Sequence, residues 1–140
     1  MRILIWHVDS FKSTLTQKGR SELVEAKQPE IIEVKDAIVI FTSVEKTDEI
    51  NPELIIQKTR DEILKVCLQL KVSVIVIHSF AHLFAESLAD PAIALEIMKK
   101  ITTSLSQPNY VVHRSPFGWF SALDIKAKGH PLSRIARIIK

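Results

Sequence analysis

Between Ala37 and His113 the chain runs strand, helix, strand, helix, strand, and that order confines it to few folds. Ala37 to Val44, opening Ala-Ile-Val-Ile-Phe, is the strongest central-strand signal. Asn51-Pro52-Glu53 then starts a helix: Asn caps, Pro presets the first turn, and Glu faces the positive end of the dipole. Ile56, Ile63, Cys67 and Leu70 fall close to one stripe of that helix. Val72 to His78 is β-branched and reads as a strand. Asp90-Pro91 repeats the capping logic, and Ala94, Ile97, Met98, Ile101 and Leu105 give a second amphipathic helix, ended by Pro108. Tyr110 to His113 is a further strand. Strands separated by helices in this way pair in parallel.

The ends add strands of another kind. Met1 to Val8 reads as a buried strand ending near Asp9, and Phe11, Ser13 and Leu15, alternating with Lys12, Thr14 and Thr16, as a second, half-exposed one. Residues 17–30 are polar, contain Gly19 and Pro29, and are expected to form a loop with some helix. Trp119 to Lys128 is expected to be a strand, and Leu132, Ile135, Ala136 and Ile139 a last helix. The fold class is therefore α/β, a mixed β-sheet with packed helices. A chain of 140 residues suits one domain with one sizeable core, and no repeat, low-complexity tract or linker divides it.

Residues 114–132 concentrate the chemistry. Gly118 and Gly129, two of three glycines, fall there with Pro116, Pro131 and Trp119. Gly118 among bulky aromatics lets a ligand or another backbone come close. Lys126, Lys128 and His130 place donors and positive charge beside a flat ring, which suits a base and a phosphate; an aromatic core strand leading into a basic turn is the plainer alternative. The net charge is only +3, but residues 126–140 hold Lys126, Lys128, Arg134, Arg137 and Lys140 and no carboxylate. One cysteine, Cys67, excludes an internal disulfide and suits a reducing cytosol. No apolar run approaches the roughly 18 residues of a membrane span, and the N-terminus shows no signal-peptide pattern.

Five histidines invite a metal, but His78 and His82 straddle a strand end, and no Asp, Glu or Cys completes a set; no metal or cofactor is expected. His82, just beyond a central strand, is the better candidate, because sites in such sheets form at strand ends. Ser43 and Ser121 lie outside any nucleophile elbow, which argues against covalent catalysis.

Ser115-Pro116-Phe117-Gly118-Trp119-Phe120 followed by Lys128-Gly129-His130-Pro131-Leu132 resembles the end of the archaeal threonyl-tRNA synthetase N-terminal editing domain. Arg2 to His7, Phe41 to Lys46 and Phe80 to Leu83 agree in order and spacing, so the resemblance covers essentially the whole chain. It implies a D-aminoacyl-tRNA deacylase-like fold, a cytoplasmic homodimer, and removal of serine mischarged on tRNA(Thr). It further implies that Val44, Phe80, Ala81, His82, Phe117, Gly118, Trp119, Phe120 and Ser121 bind substrate, and that Lys126, Lys128, His130 and Arg134 face RNA. The partners implied are the aminoacylated 3′ end of tRNA(Thr) and the synthetic domains of a longer synthetase.

Departures from that family fall on side chains that could act on substrate. Its two tyrosines are Trp119 and Phe120 here, its lysine is Ser121, and a glutamate four residues after the Lys-Gly-His-Pro histidine is Arg134. Either editing is lost, leaving an RNA-binding or dimerisation module, or no side chain is catalytic. In the second case the 2′-hydroxyl of the terminal adenosine and backbone groups carry the reaction. That second reading is the expectation here. A D-aminoacyl-tRNA deacylase proper ranks lower, because its Gly- and Pro-rich loop has no match.

Overall fold

A computed structural model describes residues 1–83 and 87–140. Its elements are β1 (Arg2–Lys18), β2 (Ile31–Ser43), a 3-10 turn (Lys46–Ile50), α1 (Pro52–Leu70), β3 (Val74–Ser79), α2 (Pro91–Leu105), β4 (Val111–Arg114), β5 (Trp119–Ala127) and β6 (Arg134–Ile138). The strands form one sheet in the order β4-β3-β2-β1-β5, with β6 also on β1. β2, β3 and β4 run parallel, whereas β1 is antiparallel to β2, β5 and β6. The mixed sheet with packed helices is thus the architecture adopted.

The helices form where their caps predict. The Asn51 side chain accepts the N–H of Leu54 and the Asp90 side chain that of Ala92, with Pro52 and Pro91 in the first turns. Ile63 and Cys67 of α1 and Ala94, Ile97, Met98, Ile101 and Leu105 of α2 are buried against Ile3, Ile5, Ile38, Ile40, Ile75 and Ile77. Each such side chain contributes about 2 kcal/mol on burial, which is how the helices stay on the sheet.

The opposite face holds a second core of Val8, Phe11, Ile32, Val34, Val39, Phe41, Val76 and Leu83. With both faces covered, β3 and the Ala37–Ser43 half of β2 read as continuous apolar runs. Phe11 on β1 and Phe41 on β2 both lean edge-on against His78 of β3, at 6.3 and 5.4 Å between ring centres.

Three expectations are corrected. Phe11 to Leu15 is not a second strand but the continuation of β1, which carries a register shift against β5 between Val8 and Ser10. The loop between β1 and β2 starts after Lys18 and holds no helix. The last helix is absent: Arg134–Ile138 is strand β6, paired from Ile138 on Arg2 to Arg134 on Trp6. The physical reason is the length of β1. β5 covers it only from Val8 onward, and β6 satisfies the backbone groups that Arg2–Trp6 would otherwise leave unpaired.

Candidate functional site: the carboxyl ends of the parallel strands

Because β2, β3 and β4 are parallel, the segments that leave them emerge at one end of the sheet, where α/β proteins build their sites. Val44 follows β2 directly; it is buried, and its carbonyl accepts the N–H of Ala89 at 3.1 Å. Beyond β3, Phe80 N–H donates to Thr42 O at 2.7 Å, and the Ser43 hydroxyl donates to Ala81 O at 2.8 Å. Those bonds tie the Phe80–His82 turn to the end of β2. Phe80 stands half exposed beside Phe41, while Ala81 and His82 are exposed. His78, two residues back on β3, is half-buried against phenylalanines, and that burial pushes its pKa down to about 4, so it is neutral at pH 7. Its Nδ1 has no hydrogen-bond partner among the described residues.

Ser115 leaves β4 with its N–H on Ile77 O at 3.0 Å, and the chain turns through Pro116, Phe117 and Gly118. Glu25, from the loop after β1, holds that turn. Its carboxylate takes a two-pronged hydrogen bond from Arg114, at 2.7 and 2.8 Å, and the Phe117 N–H at 2.7 Å. Its own N–H donates to Phe117 O at 3.1 Å, and its carbonyl accepts the Trp119 indole N–H at 2.9 Å. Burial alone would raise the Glu25 pKa, but the Arg114 and Phe117 hydrogen bonds outweigh it and hold the carboxyl below its ordinary value.

Gly118 has φ +85, and a Cβ there would lie 2.6 Å from Leu23 O. A backbone does approach this glycine closely, and it is the chain's own loop. Sequence reasoning missed Glu25. Arg114 implies a carboxylate partner, but Glu22, Glu25 and Glu30 are equivalent in spacing until the loop is folded.

Trp119, Phe120 and Ser121 open β5. Trp119 pairs with Lys18 and Ser121 with Leu15, and Phe120 is 54% exposed. Among the described residues, no hydrogen bond or ring contact joins them to Val44 or to the Phe80–His82 turn. The candidate substrate residues therefore form two groups: Val44, Phe80, Ala81, His82 and Phe117 at the strand ends, and Trp119, Phe120 and Ser121 along β5, with Gly118 between.

The four RNA candidates sit toward the other end of β5 and beyond. Lys126 is exposed. Lys128 is held by Asp9 at 2.8 Å and Asp36 at 3.4 Å, so two carboxylates offset its charge. The Arg134 guanidinium lies over the Trp6 ring, 5.8 Å from its centre. His130 Nε2 lies 2.9 Å from His7 Nδ1. Arg137, in the same basic run, is paired with Glu62 at 2.7 Å. The carboxylates missing from residues 126–140 are supplied by other elements. Two clefts of about 310 and 400 Å³ lie elsewhere, the first lined by Arg2, Leu4, Leu83 and Ile138 among others, the second by Lys58, Glu62 and Lys140. Among the described residues no group of three or more His, Cys, Asp or Glu side chains could hold a metal, and no helix is long and apolar enough to cross a membrane.

Fold and strand connectivity together define a mixed-sheet α/β protein with its parallel strands ending on one side. Comparison with known proteins narrows this class. The sequence pattern of the archaea-specific editing domain of threonyl-tRNA synthetase matches residues 1–139. The threonine–tRNA ligases of Methanococcus aeolicus and Pyrococcus horikoshii are each 38% identical to the chain, over 141 and 146 residues, and that of Methanosphaera stadtmanae is 41% identical over 141 residues. Each alignment covers 99% of this chain and 22% of the ligase. In structure, the c-Myc DNA Unwinding Element Binding Protein superposes with a TM-score of 0.66 over 100% of this chain and 99% of its own, at 11% identity, a likeness of fold. The chain belongs to the archaea-specific editing-domain family of threonyl-tRNA synthetase. It spans about a fifth of the length of the ligases it matches.

Proposed function

We propose that the chain hydrolyses seryl-tRNA(Thr) as a cytoplasmic homodimer, either as the N-terminal domain of a threonyl-tRNA synthetase or as part of a freestanding editing protein. The observation that carries this reading is the family match over residues 1–139. The physical need is plain. Serine lacks one methyl of threonine, and a difference of that size gives a synthetic site only about 10- to 200-fold discrimination. A second site must admit serine and cleave its ester. Water adds to the ester carbonyl, the 3′-oxygen of the terminal adenosine leaves as a hydroxyl, and free serine departs.

Among the described residues, no side chain at the strand ends is placed as general base. His78 is half-buried and His82 stands exposed on a turn. The terminal 2′-hydroxyl is then the group that positions or activates water. Backbone donors hold the developing oxyanion. The Phe117 N–H is already committed to Glu25, whereas the N–H groups of Ala81 and His82 have no acceptor among the described residues. Ala81 offers only a methyl at the turn after β3, so substrate is read by the shape of the main chain. Trp119 and the half-exposed Phe120 give the terminal base surfaces to pack on, and Lys126 and Arg134, which no carboxylate among the described residues pairs, add positive charge.

The experiment is deacylation of purified seryl-tRNA(Thr) and threonyl-tRNA(Thr) by the purified chain. The expected result is rapid loss of serine and slow loss of threonine. Phe120, Ser121 and Arg134, which replace reactive side chains of the family, favour a second reading: an RNA-binding or dimerisation module without turnover. It predicts that a non-hydrolysable seryl-adenosine analogue binds while neither ester is cleaved. Cleavage confined to D-aminoacyl esters would place the chain with the D-aminoacyl-tRNA deacylases instead.

A further inference from the structure

We propose that Glu25 is a positioning residue of the strand-end site, setting which backbone groups the Pro116–Gly118 turn presents; this rests on the hydrolase reading above. The loop that carries Glu25, residues 19–30, has no helix or strand of its own. A loop of that length is ordered by what it touches. Gly19 N–H donates to Gly118 O at 2.7 Å, Leu23 O lies against Gly118, and Glu25 takes both backbone groups of Phe117. The Glu25 side chain is 17% exposed and saturated. One oxygen receives Arg114 Nη1 and Phe117 N–H, and the other receives Arg114 Nη2, with Lys99 Nζ 3.6 Å away.

The consequence follows from peptide geometry. In a trans peptide the C=O and the next N–H point in opposite directions. Phe117 N–H points at the loop, so Pro116 C=O points away from it. Phe117 C=O also points at the loop, so Gly118 N–H points away too. Neither Pro116 O nor Gly118 N–H has a backbone partner among the described residues. Glu25 thereby sets one acceptor and one donor of a three-residue turn facing away from the loop, the acceptor on buried Pro116 and the donor on half-buried Gly118. The chemistry that fits such a pair is a small amino-acid ester with an ammonium to donate and a carbonyl to accept. A carboxylate is suited to this because it takes the Phe117 N–H and anchors itself on Arg114 at the same time.

The test compares the wild-type chain with Glu25→Gln and Arg114→Lys, each in a Trp6→Phe background so that Trp119 is the sole indole reporter. Glu25→Gln keeps the shape and removes the charge. Arg114→Lys keeps a cation and loses the two-pronged anchor. Expected for Glu25→Gln is a fall of about 10- to 100-fold in kcat for seryl-tRNA(Thr), with KM within about threefold, because misplacing reacting groups affects the chemical step. Trp119 emission shifts to the red as its indole loses Glu25 O. Arg114→Lys moves kcat and emission in the same direction by a smaller factor. Unchanged kcat in both folded variants overturns the proposal, as does a change confined to KM. If the wild-type chain cleaves neither ester, the hydrolase reading fails separately, and the same variants are titrated with the seryl-adenosine analogue. Tenfold weaker binding by Glu25→Gln then still supports positioning, and equal binding overturns it.

Discussion

His7 Nδ1 and His130 Nε2 lie 2.9 Å apart although 123 residues separate them in the chain. The backbone N–H of Leu132 donates to His130 Nδ1, so the His130 proton sits on Nε2 and is given to His7 Nδ1. His7 then carries its own proton on Nε2, toward Asp36 Oδ1 at 3.4 Å. Only this pair of neutral tautomers satisfies every contact, and it fastens the turn after β5 to the first two strands.

A proton added to this pair breaks a bond in it. Burial is the main reason the His7 pKa lies below its ordinary value; Lys128 and His130 add to the effect, and the Asp36 hydrogen bond opposes it. The unfolded chain therefore binds a proton before the folded chain does. Stability from this site is complete above about pH 6.5 and declines as pH falls from there toward the lowered folded pKa. In His130→Ala the His7 midpoint, followed by NMR, moves upward toward the ordinary value, and stability drops by about 1 kcal/mol.

His78 gives a larger dependence of the same sign. Its pKa is pushed from 6.5 to about 4 by burial beside Phe11 and Phe41. Between those values the unfolded state holds the extra proton, so stability rises with pH, by about 3 kcal/mol across the window. His78→Phe keeps an aromatic ring and removes both the titration and the unpartnered Nδ1. Urea denaturation at pH 4.5 and pH 7 is expected to give midpoints closer together in the variant than in the parent, the separation that remains including the His7 contribution.

The amino group of Met1 is buried on Asp48, at 2.5 Å, with Glu45 at 3.4 Å and Ile139 O at 3.0 Å. Asp48 also accepts the Glu45 N–H at 2.7 Å. Asp48→Ala leaves a buried ammonium without its main partner and is expected to cost about 3 kcal/mol in chemical denaturation. High salt does little to this loss, because the pair is shielded from solvent.

The two glycines of residues 114–132 differ in kind. Gly118→Ala introduces strain at φ +85 and drives a methyl to 2.6 Å from Leu23 O, so the loop must move; about 3 kcal/mol is expected to be lost, with Trp119 emission shifting as Glu25 lets go. Gly129 has nothing within 4 Å of an added Cβ, and Gly129→Ala is expected to keep the parent's melting temperature within a few degrees.

What could be read from the sequence was what local chemistry decides. Asn51-Pro52 and Asp90-Pro91 locate both helix starts because the cap and the preset first turn belong to adjacent residues. β3 and the Ala37–Ser43 half of β2 announce themselves because burial on both faces leaves little polar alternation, whereas Ile31–Asp36 of β2 alternates and is not read as a strand from sequence. β6 was not legible. Positions 132, 135, 136 and 139 fit a helical stripe as well as they fit an edge strand, and the decision belongs to the open edge of β1, far away in the chain. The site divides in the same way. Clustering of Val44, Phe80, Ala81, His82 and Phe117 follows from parallel strand ends, and strand order implies it. The engagement of Lys128 by Asp9 and Asp36, and of Phe117 by Glu25, depends on loop placement that no spacing encodes.

The central claim is that this chain cleaves seryl-tRNA(Thr) without a catalytic side chain. The most direct measurement is the single-turnover rate on seryl-tRNA(Thr) ending in adenosine against the same tRNA ending in 2′-deoxyadenosine, with Ser121→Ala assayed in parallel. The account predicts that the 2′-deoxy substrate loses most of its rate, whereas Ser121→Ala loses far less than the roughly 10²-fold expected for removing a general acid or base. Normal cleavage of the 2′-deoxy substrate together with an inactive Ser121→Ala variant would contradict it.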